Sequence, residues 1–305
     1  MNISVSAVKE LRERTGAGML DCKNVLIEAG GDIEKAIDVL REKGLAKAAK
    51  RSGRIATEGL VRVMIAEDGG KAGIIEVNIE TDFASKNEGF IELVDTLAAQ
   101  TLTTDASDVE ALLEEAYSGT SEIVRDKLTH FISTIGENVT IRRFEVLEAS
   151  GVVYVGYLHL GGKIGVVVGL ETEASASEIE MLGKDVAMQV ASMNPLFVDE
   201  NGVDPNYIEK EKEILVKQAL SEGKPAEIVE KMVMGRLKKE LKETCLLEQK
   251  FVKNSELTVS QYVSDSAKAL GKDVRVVSMV RYEVGEGIDK KEENFAEEVA
   301  KQIQK

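Results

Sequence analysis

A chain of 305 residues is longer than one hydrophobic core usually organises, so more than one folding unit is expected. Its 54 acidic against 39 basic side chains leave a net charge of −15, which repels phosphate backbones and excludes direct nucleic-acid binding as the main activity. Cys22 and Cys245 are too few for a disulfide framework and have no metal-ligand spacing, and no apolar run approaches the roughly 20 residues of a membrane span. Charged residues are interleaved from Lys9 onward, unlike a secretion or transit signal, so a cytoplasmic, reducing setting is expected.

The first fifty residues read as three short helices. Cys22, Val25, Leu26 and Ala29 share one helical face, as do Ile33, Ala36, Ile37 and Leu40. Thr15-Gly16-Ala17-Gly18 makes a turn, Gly30-Gly31 stops the second helix, and Asp32 suits the N-cap of the third. Cys22 is expected as a buried thiol. A basic stretch around 46–54, with Lys47, Lys50, Arg51 and Arg54, links this bundle to the rest of the chain and reads as a solvated helix end.

From Gly59 the pattern changes to strands. Leu60, Val61, Val63 and Ile65 lead into the turn Glu67-Asp68-Gly69-Gly70, and Gly73–Ile79 returns. A helix with Phe90, Leu93, Val94 and Leu97 on one face comes next, then a helical pattern over roughly 109–132 and a closing strand through Val139 to Val146. The order then repeats. Gly69-Gly70-Lys71-Ala72-Gly73-Ile74-Ile75 is echoed by Gly161-Gly162-Lys163-Ile164-Gly165-Val166-Val167, a helix is expected over 179–192, and Tyr282-Glu283-Val284 aligns with Phe144-Glu145-Val146. Inserted in the second copy are two charged helical stretches, 208–220 and 226–241, joined at Gly223-Lys224-Pro225. They predict an antiparallel hairpin in which Ile214, Leu215 and Leu220 meet Ile228, Met232, Val233 and Leu237. Phe295, Val299 and Ile303 mark a last short helix. The fold class is α+β: a three-helix bundle (1–54), a duplicated core with antiparallel sheets (55–148 and 149–284, the latter carrying the hairpin at about 199–245) and a C-terminal helical module (285–305).

Enzyme signatures are missing. There is no phosphate loop, no nucleophile elbow and no His-Glu-x-x-His, and only His130 and His159 could act as imidazoles. The Gly-Gly-Lys turns precede strands, so they read as hairpin turns rather than phosphate cradles. No cofactor or metal is expected. The copies differ at one place: only the first runs on into Thr81-Asp82-Phe83. Thr81 or Asp82 suits a helix cap, and Phe83 is either core filler beneath that helix or an exposed interface anchor on a rigid mount.

The stretch from Val8 to Lys23, containing Arg12-Glu13-Arg14-Thr15-Gly16-Ala17-Gly18-Met19, resembles the N-terminal signature of the bacterial elongation factor Ts family. Glu76-Val77-Asn78-Ile79-Glu80-Thr81-Asp82-Phe83 is similar to its second signature. Ile135-Gly136-Glu137-Asn138-Val139 with Arg142-Arg143, and the string from Arg281 to Gly287, match as well. The resemblance implies that the bundle is of the ubiquitin-associated type and that the chain is not an enzyme but a guanine-nucleotide exchange factor of translation, with the GTPase elongation factor Tu as partner. Carried over, Phe83 wedges beside the partner's nucleotide site and displaces Mg²⁺, with Thr81, Asp82 and Ala84 framing it, although many relatives carry Val at the position of Ala84. Ile135, Gly136 and His159 contribute to the same surface, and Met19 and Leu20 touch the partner's nucleotide domain. No nucleic acid or membrane is implied, and a homodimer or a 2:2 complex through the hairpin stays open. Two rival readings remain: a docking adaptor built on the bundle and helical arm, and a small-molecule enzyme using a cleft between the two core units.

Overall fold

The computed structural model describes residues 3–223 and 225–289. The helix expected over 295–303, with Phe295, Val299 and Ile303, lies outside the described residues, as does most of the 285–305 module.

The N-terminal bundle forms where the sequence punctuates it. Helix α1 (Val5–Thr15) starts at Ser4, whose hydroxyl accepts from the Ala7 amide, and stops at Gly16 in the left-handed region. Helix α2 (Met19–Glu28) comes next, and α3 (Ile33–Arg51) is capped by Asp32, which accepts from the Lys35 amide. Val8, Leu11, Cys22, Val25, Leu26 and Ala36 close a small core. The basic stretch is a helix end, as read from the sequence: α3 runs through it to Arg51. Its second half lies against the next unit, with Arg41 paired to Asp126 and Gly44 facing Ser133.

That unit comprises β1 (Glu58–Ile65), β2 (Lys71–Ile79), a four-residue α4 (Asp82–Ser85), α5 (Glu88–Gln100), α6 (Val109–Glu114), α7 (Val124–Ile135) and β3 (Val139–Glu148). The strands form an antiparallel sheet in the order β1-β2-β3. The single helical stretch expected over 109–132 is two helices. Ser118-Gly119-Thr120-Ser121 breaks it, and Gln100 holds the break by donating to the Ala116 carbonyl (3.1 Å) and accepting from the Ser118 amide (3.2 Å).

The second unit comprises β4 (Val152–His159), β5 (Ile164–Thr172), α8 (Ala176–Met193), α9 (Pro205–Ser221), α10 (Ala226–Thr244), a small hairpin β6 (Lys250–Phe251) and β7 (Asn254–Thr258), α11 (Val259–Leu270) and β8 (Val274–Glu283). Its sheet is ordered β4-β5-β8. Helices α9 and α10 form the expected arm around Leu215, Val216, Ala219, Val229 and Val233. Ile214, Leu220 and Ile228, expected inside it, are exposed instead. The sequence pattern did not resolve β6, β7 and α11, although Thr258 and Gln261 form a capping box at the start of α11.

The two sheets pack face to face through Val61, Ala72, Ile74, Tyr154, Val167 and Tyr282. Helices α5 and α7 cover the outer face of the first sheet, and α8 and α11 that of the second. The register corrects the repeat. The glycine strings are 92 residues apart, but the sheets match at 93: β2 shifts register between Glu76 and Val77, and β5 between Gly169 and Leu170. One residue of slip reverses which layer a strand residue faces. Thus Ile74 corresponds to Val167, both in the inter-sheet core, rather than to Val166. Likewise Arg143 pairs with Glu76 as Ser278 does with Gly169, so the structural counterpart of Tyr282 is Leu147, not Phe144.

The bulge opposite Glu76 has a local consequence. Arg142 is the extra residue, so Arg142 and Arg143 both reach the Glu76 carboxylate, at 3.0 and 2.7 Å. Glu76 is fully buried, and it also accepts from the Gly285 amide at 2.8 Å and from Asn78 at 3.2 Å. Arg143 stacks over the Tyr282 ring at 4.1 Å, and the Tyr282 hydroxyl donates to Glu145 at 2.6 Å. Burial and that carboxylate push the phenol well above its ordinary range. The Arg142-Arg143 and Arg281–Gly287 strings therefore tie the last described segment to the first sheet.

Candidate functional site

Strand β2 ends at Ile79, and the chain turns at once into α4. Thr81 is the N-cap, accepting from the Ala84 amide at 3.2 Å. Ala84 and Ser85 face inward and are buried, whereas the Phe83 ring is 82% exposed. So short a helix has no intrinsic stability, and its pose depends on what holds it. Glu137 is the main brace: its two carboxylate oxygens accept from the Thr81 amide (3.0 Å) and the Thr81 hydroxyl (2.8 Å). Beside it, Glu80 accepts from the Asn138 amide at 2.6 Å, Asn138 donates to the Arg54 carbonyl at 2.8 Å, and Arg54 reaches back to Glu80 at 3.4 Å. Arg51 donates to the Ile132 carbonyl at 3.1 Å in the last turn of α7, which ends at Gly136 in the left-handed region.

Asp82 and Lys86 pair at 2.8 Å on the helix surface, and the Lys86 ammonium stands 5.8 Å from the Phe83 ring centroid. The Lys86 hydrogen bond holds the Asp82 carboxyl below its usual value, and the charge of Lys163 adds to the effect. The β4–β5 turn lies at the same end, because Glu58 at the start of β1 stands opposite Ile79, the last residue of β2. Lys163 is anchored there by Glu58 at 2.8 Å, and the Val61 amide donates to the Gly162 carbonyl at 2.7 Å. His159, at the end of β4, is half-buried with its Nδ1 3.1 Å from the Tyr157 hydroxyl.

The structure therefore brings Thr81, Asp82, Phe83 and Ala84 together with Ile135 and Gly136 through Glu137, and sets the His159 turn at the same end through Lys163. Ile135 itself packs partly against the first core. Met19 and Leu20, both exposed, open α2 on the separate bundle, and no hydrogen bond or ion pair joins them to the tip among the described residues. Their neighbour Asp21 is tied to Lys47 of α3 at 3.0 Å, and α3 in turn carries Arg51 and leads to Arg54. The bracing residues Glu80, Glu137, Asn138, Arg54 and Lys163 were not legible as site residues from sequence. Glu80, Glu137 and Asn138 lie inside the signature strings, which was the available signal. Among the described residues, the face between the two sheets, where a small-molecule enzyme would need a cleft, is packed by the inter-sheet core.

The chain resembles known proteins over nearly its whole length. The family model described as "Elongation factor TS" matches residues 80–286. Elongation factor Ts of Clostridioides difficile (strain 630) is 56% identical over 302 residues, covering 99% of this chain and 99% of that protein. Elongation factor Ts of Clostridium kluyveri is 54% identical over 303 residues with the same coverage of both chains, and that of Clostridium botulinum (strain 657 / Type Ba4) is 52% identical over 302 residues, 99% of this chain and 98% of that one. No helix among the described residues is long and apolar enough to cross a membrane.

Proposed function

The chain belongs to the elongation factor Ts family of translation elongation factors, and on that premise we propose that it is a guanine-nucleotide exchange factor that binds elongation factor Tu and releases its GDP. The observation that carries this reading is the exposed Phe83 ring on a braced four-residue helix. A large apolar ring facing water at a tip fixed from both sides suits insertion into another protein. The physics is linkage. A factor that binds the nucleotide-free GTPase more tightly than the GDP form weakens GDP binding by the same ratio. Phe83 enters beside the partner's nucleotide site and displaces Mg²⁺, whose charge otherwise offsets that of the phosphates. This chain needs no metal ligand of its own, because the ion belongs to the partner.

The test is release of fluorescent GDP from purified elongation factor Tu. Wild type accelerates it at substoichiometric amounts, whereas a docking adaptor would not. Phe83→Ala leaves the circular dichroism and melting temperature unchanged and slows release about 30-fold, the equivalent of about 2 kcal/mol for a lost aromatic anchor. Release at the wild-type rate would remove Phe83 from the mechanism. The domain limits 1–54, 55–148 and 149–284 belong to the same proposal, with Met19 and Leu20 of the bundle as a second contact on that partner.

A further inference from the structure

Leu160 stands at the tip of the β4–β5 turn with φ of 49°, in the left-handed region that branched apolar residues avoid. The residue is 70% exposed, so little packing among the described residues compensates the strained backbone. Glycine or asparagine fits such a position better, and two glycines, Gly161 and Gly162, come directly after it. Leu158 is exposed on the strand leading into it. A strained, solvated leucine is costly to the free protein, and strain of this kind concentrates at ligand clamps. The turn sits at the Phe83 end of the molecule, since Lys163 is held by Glu58 at 2.8 Å and Glu58 stands opposite Ile79, where β2 ends before α4.

We propose that Leu160 is a second apolar prong of the Phe83 docking surface and inserts into an apolar pocket of the same GTPase. This rests on the exchange-factor reading for the identity of the partner. The occupant is argued from continuity with the Phe83 tip: two exposed apolar side chains on two rigid turns at one end, with the Asp82–Lys86 and Glu58–Lys163 pairs around them. The charges of Asp82, Lys86, Glu58 and Lys163 are engaged with one another, which leaves the two apolar side chains free to make the contact.

The experiment compares Leu160→Asn, Leu160→Met and Phe83→Ala with the full-length chain by GDP release, by calorimetric binding to elongation factor Tu and by thermal melting. Asparagine tolerates the backbone conformation and removes the apolar contact, so Leu160→Asn should melt no lower than wild type yet weaken binding about tenfold. Leu160→Met should bind as wild type. Leu160→Asn binding with wild-type affinity overturns the proposal, as does a melting temperature lowered by several degrees, which would make the leucine structural. A Leu160→Asn defect in self-association with unchanged GTPase binding assigns the prong to a second copy of this chain and also overturns it. Phe83→Ala reports separately on the underlying reading: if it exchanges normally while Leu160→Asn binds weakly, the wedge fails and the prong stands.

Discussion

Thr81 shows how one hydroxyl can set the pose of an anchor. Its oxygen accepts the Ala84 amide to cap α4 while its proton goes to Glu137, so the carboxylate fixes the rotor in the orientation that capping requires. Glu137→Gln keeps one acceptor oxygen but turns an amide NH₂ toward a second donor. We expect it to slow GDP release about fivefold through a loosened tip, at roughly 1 kcal/mol. In a Phe83→Ala background the same substitution should add nothing, because it acts only through the ring. Additive losses in that double-mutant cycle would give Glu137 a contact of its own. A cap at Thr81 or Asp82 was legible from residue type at a strand end, and the structure gives it to Thr81. The exposure of Phe83 was not, since a Phe at the start of a helix packs inward or outward according to what stands behind it. Here Ala84 and Ser85 take the inward positions.

Among elements, the order of the longer helices and strands, the β1–β2 and β4–β5 hairpins and the inserted arm were readable from periodicity and glycine punctuation, whereas β6, β7 and α11 were not. What failed were features set by distant partners. The break between α6 and α7 is stabilised by Gln100, which lies 16 residues before Ala116. The frame of the repeat is set by bulges, which periodicity alone does not reveal. The frame matters for the tip. Counted 93 residues on, Phe83 corresponds to Ala176, the first residue of α8, which runs unbroken to Met193. In the first unit the equivalent helix is interrupted, because Asn87 caps α5 afresh by accepting from the Gly89 and Phe90 amides. That interruption leaves α4 as a separate tip. The turn after β8 is as tightly specified. Gly285 has φ of 72°, a Cβ there would overlap the Thr57 carbonyl, and its amide serves the buried Glu76. Gly285→Ala should lower stability by about 2 kcal/mol or more, read as a drop of several degrees in melting temperature. An unchanged melt would mean that the turn relaxes without cost.

At the scale of the molecule, an acidic chain holds itself together with local pairs rather than a balanced surface. The Lys272 ammonium, at 2.8 Å, and the Ser175 amide and hydroxyl hold Glu178 down to about 2, tying the start of α8 to the α11–β8 turn. A carboxyl whose folded value lies below its ordinary 4.5 stabilises the fold above that pH and loses the contribution as pH falls toward 2. Glu178→Gln should therefore flatten the decline of melting temperature across that window. A parallel decline in both proteins would count against the tie.

At the centre, Val63 of the first unit presses on Gly156 of the second, and any Cβ on Gly156 would overlap it. These residues are 93 apart, so each is the other's counterpart. Two identical halves meeting about a twofold axis must present the same residue there, either crowding valine against valine or facing glycine with glycine across a void. Joining the halves in one polypeptide removes that constraint and lets one become the peg and the other the socket. Neither half could now be replaced by a duplicate of its sibling.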